Sequence, residues 1–196
     1  MVWYNKSIER KVENMPNYCN YEMKIKGSKD AIKRVLECLK ADYDYNKGKP
    51  DHKHFFRVFD VYDDNEMKDN GDGTFTQFVF GDCAWSVHSC MCSGEHTYYN
   101  DGKESFGENF MGTDLLEQSK DCEIEVFSEE EGMEFSEHYI FKNGECLVDD
   151  CVDCKQAGYT KTGKITTRIN WDTYEGDYVC LNPHRENQTD IYCWTI

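Results

Sequence analysis

Proline is almost missing from this chain, with three in 196 residues, and basic residues are few, 22 against 38 acidic ones, for a net charge of −16. Scarce proline together with 13 Tyr and 11 Phe argues against a disordered chain and for a strand-rich globular one. No apolar run approaches the roughly 20 residues that a membrane helix needs. The opening MVWYNKSIERKVENMPN has no apolar stretch behind its charges, so no secretory signal is expected and the expected location is the cytoplasm. Phosphate-cradling loops are absent too: there is no GxxxxGK[ST], and no GxGxxG follows a strand pattern, which leaves no sign of nucleotide binding. Eleven cysteines stand out, but without a secretory signal they are expected to be reduced thiols used as small hydrophobes, with no structural disulfides.

The acidity is concentrated in the middle of the chain. Residues 113–153 hold fourteen acidic and two basic groups, whereas residues 1–40 hold five and nine. Such a surface repels nucleic acid and membranes, so neither is expected as a direct partner. It suits a basic protein.

In chain order, YCNYEMKIKG (residues 18–27) places Tyr21, Met23 and Ile25 on one face and Asn20, Glu22, Lys24 and Lys26 on the other, the pattern of a half-buried strand. Ser28 is an N-cap for a helix whose stripe is Ile32, Val35, Leu36 and Leu39. Phe55 to Tyr62 reads as a second strand, and DDNEMKDNGDG as a solvated turn whose acidic residues miss the EF-hand spacing. Phe75 to Cys92 is expected to form a central strand pair with a bend or bulge at Gly81-Asp82. Beyond Cys83 its alternation predicts a face of Trp85, Val87 and Met91. Thr113 to Lys120 is predicted as a short helix capped by Thr113 or Asp114. Cys122 to Phe127 follows as a strand, SEEEG as a turn, MEFSEHYIF as a strand, and NGE as a hairpin turn into CLVDDCVDC. After Cys154, three short strands are expected at Ile165 to Trp171, Tyr178 to Leu181 and Ile191 to Ile196.

Met15-Pro16-Asn17-Tyr18-Cys19 with the strand to Gly27, Ala84-Trp85-Ser86, and IEVFSEEEGMEFSEHYIFKNGE from Ile124 to Glu145 together resemble the YubB-like proteins of phages, plasmids and gut bacteria. The resemblance covers about Met15 to Cys154. It implies an α+β, ferredoxin-like antiparallel sheet with helices on one face. It implies no reaction, and it makes Asn17 a polar anchor and Trp85 a core aromatic. Residues 1–14 precede the matched start and 155–196 lie beyond it. The expected organisation is therefore an N-terminal extension (1–14), a ferredoxin-like domain (15–154) and a C-terminal β-rich extension (155–196).

Three constellations bear on chemistry. His88-x-Cys90-x-Cys92 with His96, and Cys151-x-x-Cys154 with Cys146 nearby, offer soft ligands. In a strand, however, His88, Cys90 and Cys92 would stand about 7 Å apart in a row, and one CxxC does not make a structural zinc site, so no metal or other cofactor is expected. Cys83 or Cys90 near His138 would be a thiol nucleophile without any supporting motif. The acidic residues Glu129, Glu130, Glu131, Glu134, Asp149, Asp150 and Asp153 are either a solvated surface or a docking face.

The expected function is a non-enzymatic acidic binding module of a phage or mobile element. Its partner would be a basic host protein, such as a CRISPR effector or another nucleic-acid-binding defence protein inhibited in the manner of anti-CRISPR proteins. The alternatives are a metal- or thiol-dependent enzyme using the Cys/His clusters, and a small-ligand or oligomerisation module with Tyr98, Tyr99 and Phe106 as its contact.

Overall fold

A computed structural model of the chain describes residues 17–41, 53–63, 65–92, 98–100, 103–105, 113–130, 132–159, 161–162, 164–166, 168, 170 and 178–181. The predicted N-terminal extension and the strand at Ile191 to Ile196 lie outside them.

Strand β1 (Tyr18–Gly27) is followed by helix α1 (Lys29–Lys40), as the alternation and the cap predict. The Ser28 hydroxyl accepts the Ala31 N–H at 3.2 Å, and the helix buries Ala31, Ile32, Val35, Leu36, Cys38 and Leu39 along one side. Next come β2 (Val58–Tyr62), the two-residue β3 (Lys68–Asp69) and β4 (Phe75–Ala84), then a π-helical turn (His88–Cys92). A small hairpin of β5 (Tyr98–Asn100) and β6 (Lys103–Ser105) precedes α2 (Leu115–Gln118), whose N-cap is Asp114, accepting the Glu117 N–H at 2.6 Å. A 3₁₀ turn (Ser119–Asp121) leads into β7 (Cys122–Glu130), β8 (Phe135–Lys142) and β9 (Glu145–Asp153).

These strands build one seven-stranded antiparallel sheet in the order β2-β4-β1-β7-β8-β9, with β3 also paired to β4. Because β1 is antiparallel to both neighbours, β1 and β2 run parallel with β4 between them, and β4 and β7 run parallel with β1 between them. Register fixes the inner face: Met23 lies opposite Val79 and Val126, and Val126 opposite Tyr139. One core holds these residues together with the buried side of α1, Cys90 and Met91 of the π-helical turn, and Leu115 of α2. The chain is thus an α+β fold with few helices. The Asn143-Gly144 pair, at φ 54° and 74°, makes the tight β8–β9 turn that the sequence predicts. Beyond Cys154, β10 (Lys155–Tyr159), β11 (Ile165–Thr166) and β12 (Tyr178–Leu181) form a second antiparallel sheet in the order β11-β10-β12.

Four expectations are corrected. Phe75 to Cys92 is one strand rather than a pair: β4 ends at Ala84, Trp85 takes a left-handed φ of 62°, and the following residues wind into the π-helical turn. Val87, Cys90 and Met91 are buried, a helical spacing that over five residues is easily mistaken for alternation. Trp85 is 41% exposed rather than a core aromatic. The second strand begins at Val58, not Phe55, because Phe55 and Phe56 turn into the core and Arg57 has a φ of 45°. The acidic run SEEEG is not all turn, since β7 continues through Glu130.

Gly81 sits where a bulge is expected, and the irregularity falls in its partner strand: the β2 register shifts between Val58 and Asp60. The shift brings the Asp60 carbonyl over Gly81, where a Cβ would meet that oxygen at 1.9 Å.

Candidate partner-binding surface

The seven acidic residues singled out in the sequence do not form one face. Glu130, at the end of β7, is 4% exposed. Its carboxylate accepts the backbone N–H groups of Gly132, at 3.2 Å, and Met133, so it fastens the β7–β8 turn and is unavailable to a partner. Glu131 lies outside the described residues. Glu129 is half-buried in β7, in register with Ser136 and Asn20. Glu134 is half-buried with a left-handed φ of 58°, and its carbonyl accepts the Cys154 N–H at 2.6 Å.

Asp149, Asp150 and Asp153, by contrast, are exposed on β9, and Glu145 joins them there. Among the described strands β9 has a neighbour on one side only, β8. Its sequence ECLVDDCVD contains no basic residue, every position is exposed or half-exposed, and Leu147 is 56% exposed. Register with β8 puts Asp149 opposite Tyr139 and Asp153 opposite Phe135 on one face, and Asp150 opposite His138 on the other. A strand of this kind offers two things to a partner: a line of backbone donors and acceptors, and carboxylates above and below it.

The neighbouring strand β8 carries a buried polar network, centred on Glu137. Glu137 of β8 is 2% exposed. Its carboxylate accepts the N–H groups of Val87 (2.8 Å) and His88 (3.3 Å), the Ser128 hydroxyl (2.6 Å) and the Tyr139 hydroxyl (3.1 Å). It thereby anchors the start of the π-helical turn to the sheet. Burial, with Glu137 beside it, pushes the Tyr139 phenol up and keeps it a donor.

The thiols are placed for packing. Cys90 is fully buried with its Sγ 2.8 Å from the Ala84 carbonyl, and Cys83 sits against Cys19 and Cys90 on the inner face, its thiol pushed up by burial. His138 is not brought to either one: it lies on the opposite face, stacked on Phe127 at 4.1 Å and 3.1 Å from Glu125. The proposed Cys83 or Cys90 pairing with His138 is therefore not formed. Burial raises Cys38 and Cys122 to about 11. The exposed Cys146 and Cys151 are pushed up as well, by partial burial and then by nearby carboxylates, among them Asp149. Every one of these shifts runs opposite to that of an activated nucleophile. Cys146 donates to the Val148 carbonyl, Cys154 is buried and His88 is exposed. Among the described residues no group of three or more His, Cys, Asp or Glu side chains is placed to hold a metal ion. The contact built on Tyr98, Tyr99 and Phe106 involves side chains outside the described set.

No helix among the described residues is long and apolar enough to cross a membrane. No protein-family model matches the chain, and comparison with curated proteins and with solved structures finds no significant relative.

Proposed function

We propose that this chain is a non-enzymatic binding module that docks a basic protein partner along the outer strand β9. The observation that carries this reading is the position of β9, which among the described strands is an edge strand, with four carboxylates, no cation and one side of its backbone without a strand partner. Acidic side chains on an edge also discourage self-pairing, so the same residues that keep copies of this chain apart attract a basic strand. The strand order β2-β4-β1-β7 is that of a ferredoxin-like sheet, here extended by β8 and β9, which supports a ferredoxin-like domain with a β-rich C-terminal extension. The resemblance to YubB-like proteins supports an origin in a phage or mobile element and action in the host cytoplasm. Carboxylates spaced along a strand imitate a phosphate backbone, so a host nucleic-acid-binding defence protein is the partner class that fits. A thiol enzyme is the weaker reading, because Cys83 and Cys90 are fully buried and His138 stands on the other face of the sheet, stacked on Phe127.

The test is capture from host lysate by the wild-type chain and by the Asp149→Asn/Asp150→Asn/Asp153→Asn variant, at low and high salt. A basic protein bound by the wild type, released by salt and lost from the variant supports the reading. Equal capture by both chains overturns it. Charge changes at Glu130 are unsuitable for this purpose, since they would unfasten the β7–β8 turn.

A further inference from the structure

A second surface lies at the opposite edge of the sheet, where β2, the end of β4 and the start of β1 meet. Four aromatic side chains there, Tyr18, Phe59, Tyr62 and Trp85, are between 39% and 55% exposed. Tyr18 and Phe59 pack with ring centroids 5.2 Å apart, and Trp85 stacks on the buried Phe56 at 6.1 Å. Tyr18, Phe59 and Trp85 are thus joined through direct contacts and Arg57, and exposed apolar residues joined in a patch mark interaction sites where scattered single ones do not. Trp, Tyr and Arg are also the side chains that dominate binding energy at protein interfaces.

Two further observations specify the occupant. The Arg57 guanidinium lies over the Trp85 ring at 5.0 Å and over Phe59 at 6.0 Å, so these rings already receive a guanidinium from within the chain. Asp60 and Asp82 face each other directly across β2 and β4. Neither carboxylate has a hydrogen-bond or ion-pair partner among the described residues. Like charges in cross-strand register oppose each other, and the resulting cost is relieved when a cation is placed between them. Backbone hydrogen bonds hold the patch in shape: the Trp85 N–H donates to the Asn17 carbonyl at 2.8 Å and the Ala84 N–H to the Arg57 carbonyl at 3.1 Å. Trp85 and Arg57 both keep left-handed backbones there, which persist only where the surroundings fix them.

We infer that this aromatic face, with the Asp60–Asp82 pair, is a docking site for an arginine-bearing segment of a partner protein: a guanidinium bridges the two carboxylates while its plane stacks on ring surface of the patch that Arg57 leaves uncovered. Arginine fits better than lysine because its planar fork can satisfy two carboxylates and stack at the same time. The surface is separate from β9 and shares with that reading only the expectation of a basic partner.

The test uses the full chain and three short capped peptides in a glycine background, carrying two arginines, two lysines or two citrullines. Binding is followed by amide and indole NMR shifts. The expected result is saturable shifts at the Trp85 indole and at residues 58–62 and 80–85 with the arginine peptide, weaker ones with lysine and none with citrulline. The isosteric Asp60→Asn/Asp82→Asn variant should weaken binding by about tenfold or more. Phe59→Leu should weaken it with both carboxylates retained, which separates the ring contribution from the charge. Asp149→Asn/Asp150→Asn/Asp153→Asn should leave these shifts unchanged, so failure at one edge is distinguishable from failure at the other. Shifts spread over the whole acidic surface, equal binding of citrulline, or undiminished binding to Asp60→Asn/Asp82→Asn would each overturn the inference.

Discussion

Glu137 illustrates how a single side chain can hold two elements together. Its carboxylate serves four donors in a site closed to water, so truncation leaves those donors without a partner. Glu137→Ala is expected to cost about 3–5 kcal/mol, read by urea unfolding, because the buried network loses the carboxylate that all four donors share. Glu137→Gln should cost less but still destabilise, since its amide nitrogen would be set against donors. Gly81 is a second point of sensitivity. The Asp60 carbonyl occupies the space that a Cβ would need, so Gly81→Ala must push β2 away from β4. A loss of about 2 kcal/mol or more is expected, with chemical-shift changes at the bulge, as for overpacking elsewhere in protein cores.

At the scale of elements, β1 and α1 stand on local rules. Alternation sets the strand, Ser28 caps the helix, and Ser28→Ala is expected to lower stability by about 1 kcal/mol in thermal or chemical unfolding. Helix α1 is then tied to the segment before β7 by Arg34, which donates to Gln118 Oε1 at 3.0 Å, to the Gln118 carbonyl at 3.2 Å and to both oxygens of Asp121. This is a tie between α1 and the 3₁₀ turn that sequence separation of more than 80 residues conceals. Strand β9 pairs with β8 alone among the described strands, and its side chains are exposed or half-exposed. The Asp149→Asn/Asp150→Asn/Asp153→Asn variant should fold with a stability within about 0.5 kcal/mol of the wild type, as surface substitutions do.

Over the whole molecule, the charge of −16 works against compactness and is screened by salt, so the melting temperature should rise between low salt and physiological salt. The pH dependence has two opposed parts. Burial, and then the Asp60 charge, raise Asp82 from its ordinary value. A raised folded pKa means that Asp82 favours the folded state most at acidic pH and loses that contribution as pH climbs through its folded value. Asp121 and Glu123 are held low, by hydrogen bonds from Arg34 and Lys142 respectively. Their contribution is present above the unfolded carboxylate values and is lost as pH falls through the lowered ones. Stability should therefore increase from neutral to mildly acidic pH and fall in strong acid. Asp82→Asn should raise stability at pH 7 and flatten the gain on mild acidification, measured by thermal unfolding across pH.

The sequence by itself determined what depends on near neighbours: β1 from its alternation, α1 from its stripe and cap, the Asn143-Gly144 turn, the strand at Cys122 to Phe127, and the acid balance of the middle region. Each of these follows from residues within one or two turns or strand repeats of one another. The tertiary structure alone decided the rest. Residues 88–92 wind into a helical turn because Glu137, fifty positions from Val87, accepts the first N–H groups of that turn. Glu130 faces inward because β7 runs on to it and the following turn offers N–H groups to its carboxylate, a choice that composition cannot register. Which acidic residues are exposed likewise depends on β9 being the outermost of the described strands at its side of the sheet, and strand order is set by long-range pairing between segments far apart in the chain. The patch at Tyr18, Phe59, Asp60, Asp82 and Trp85 gathers three segments of the chain, so no local pattern in any one of them could announce it.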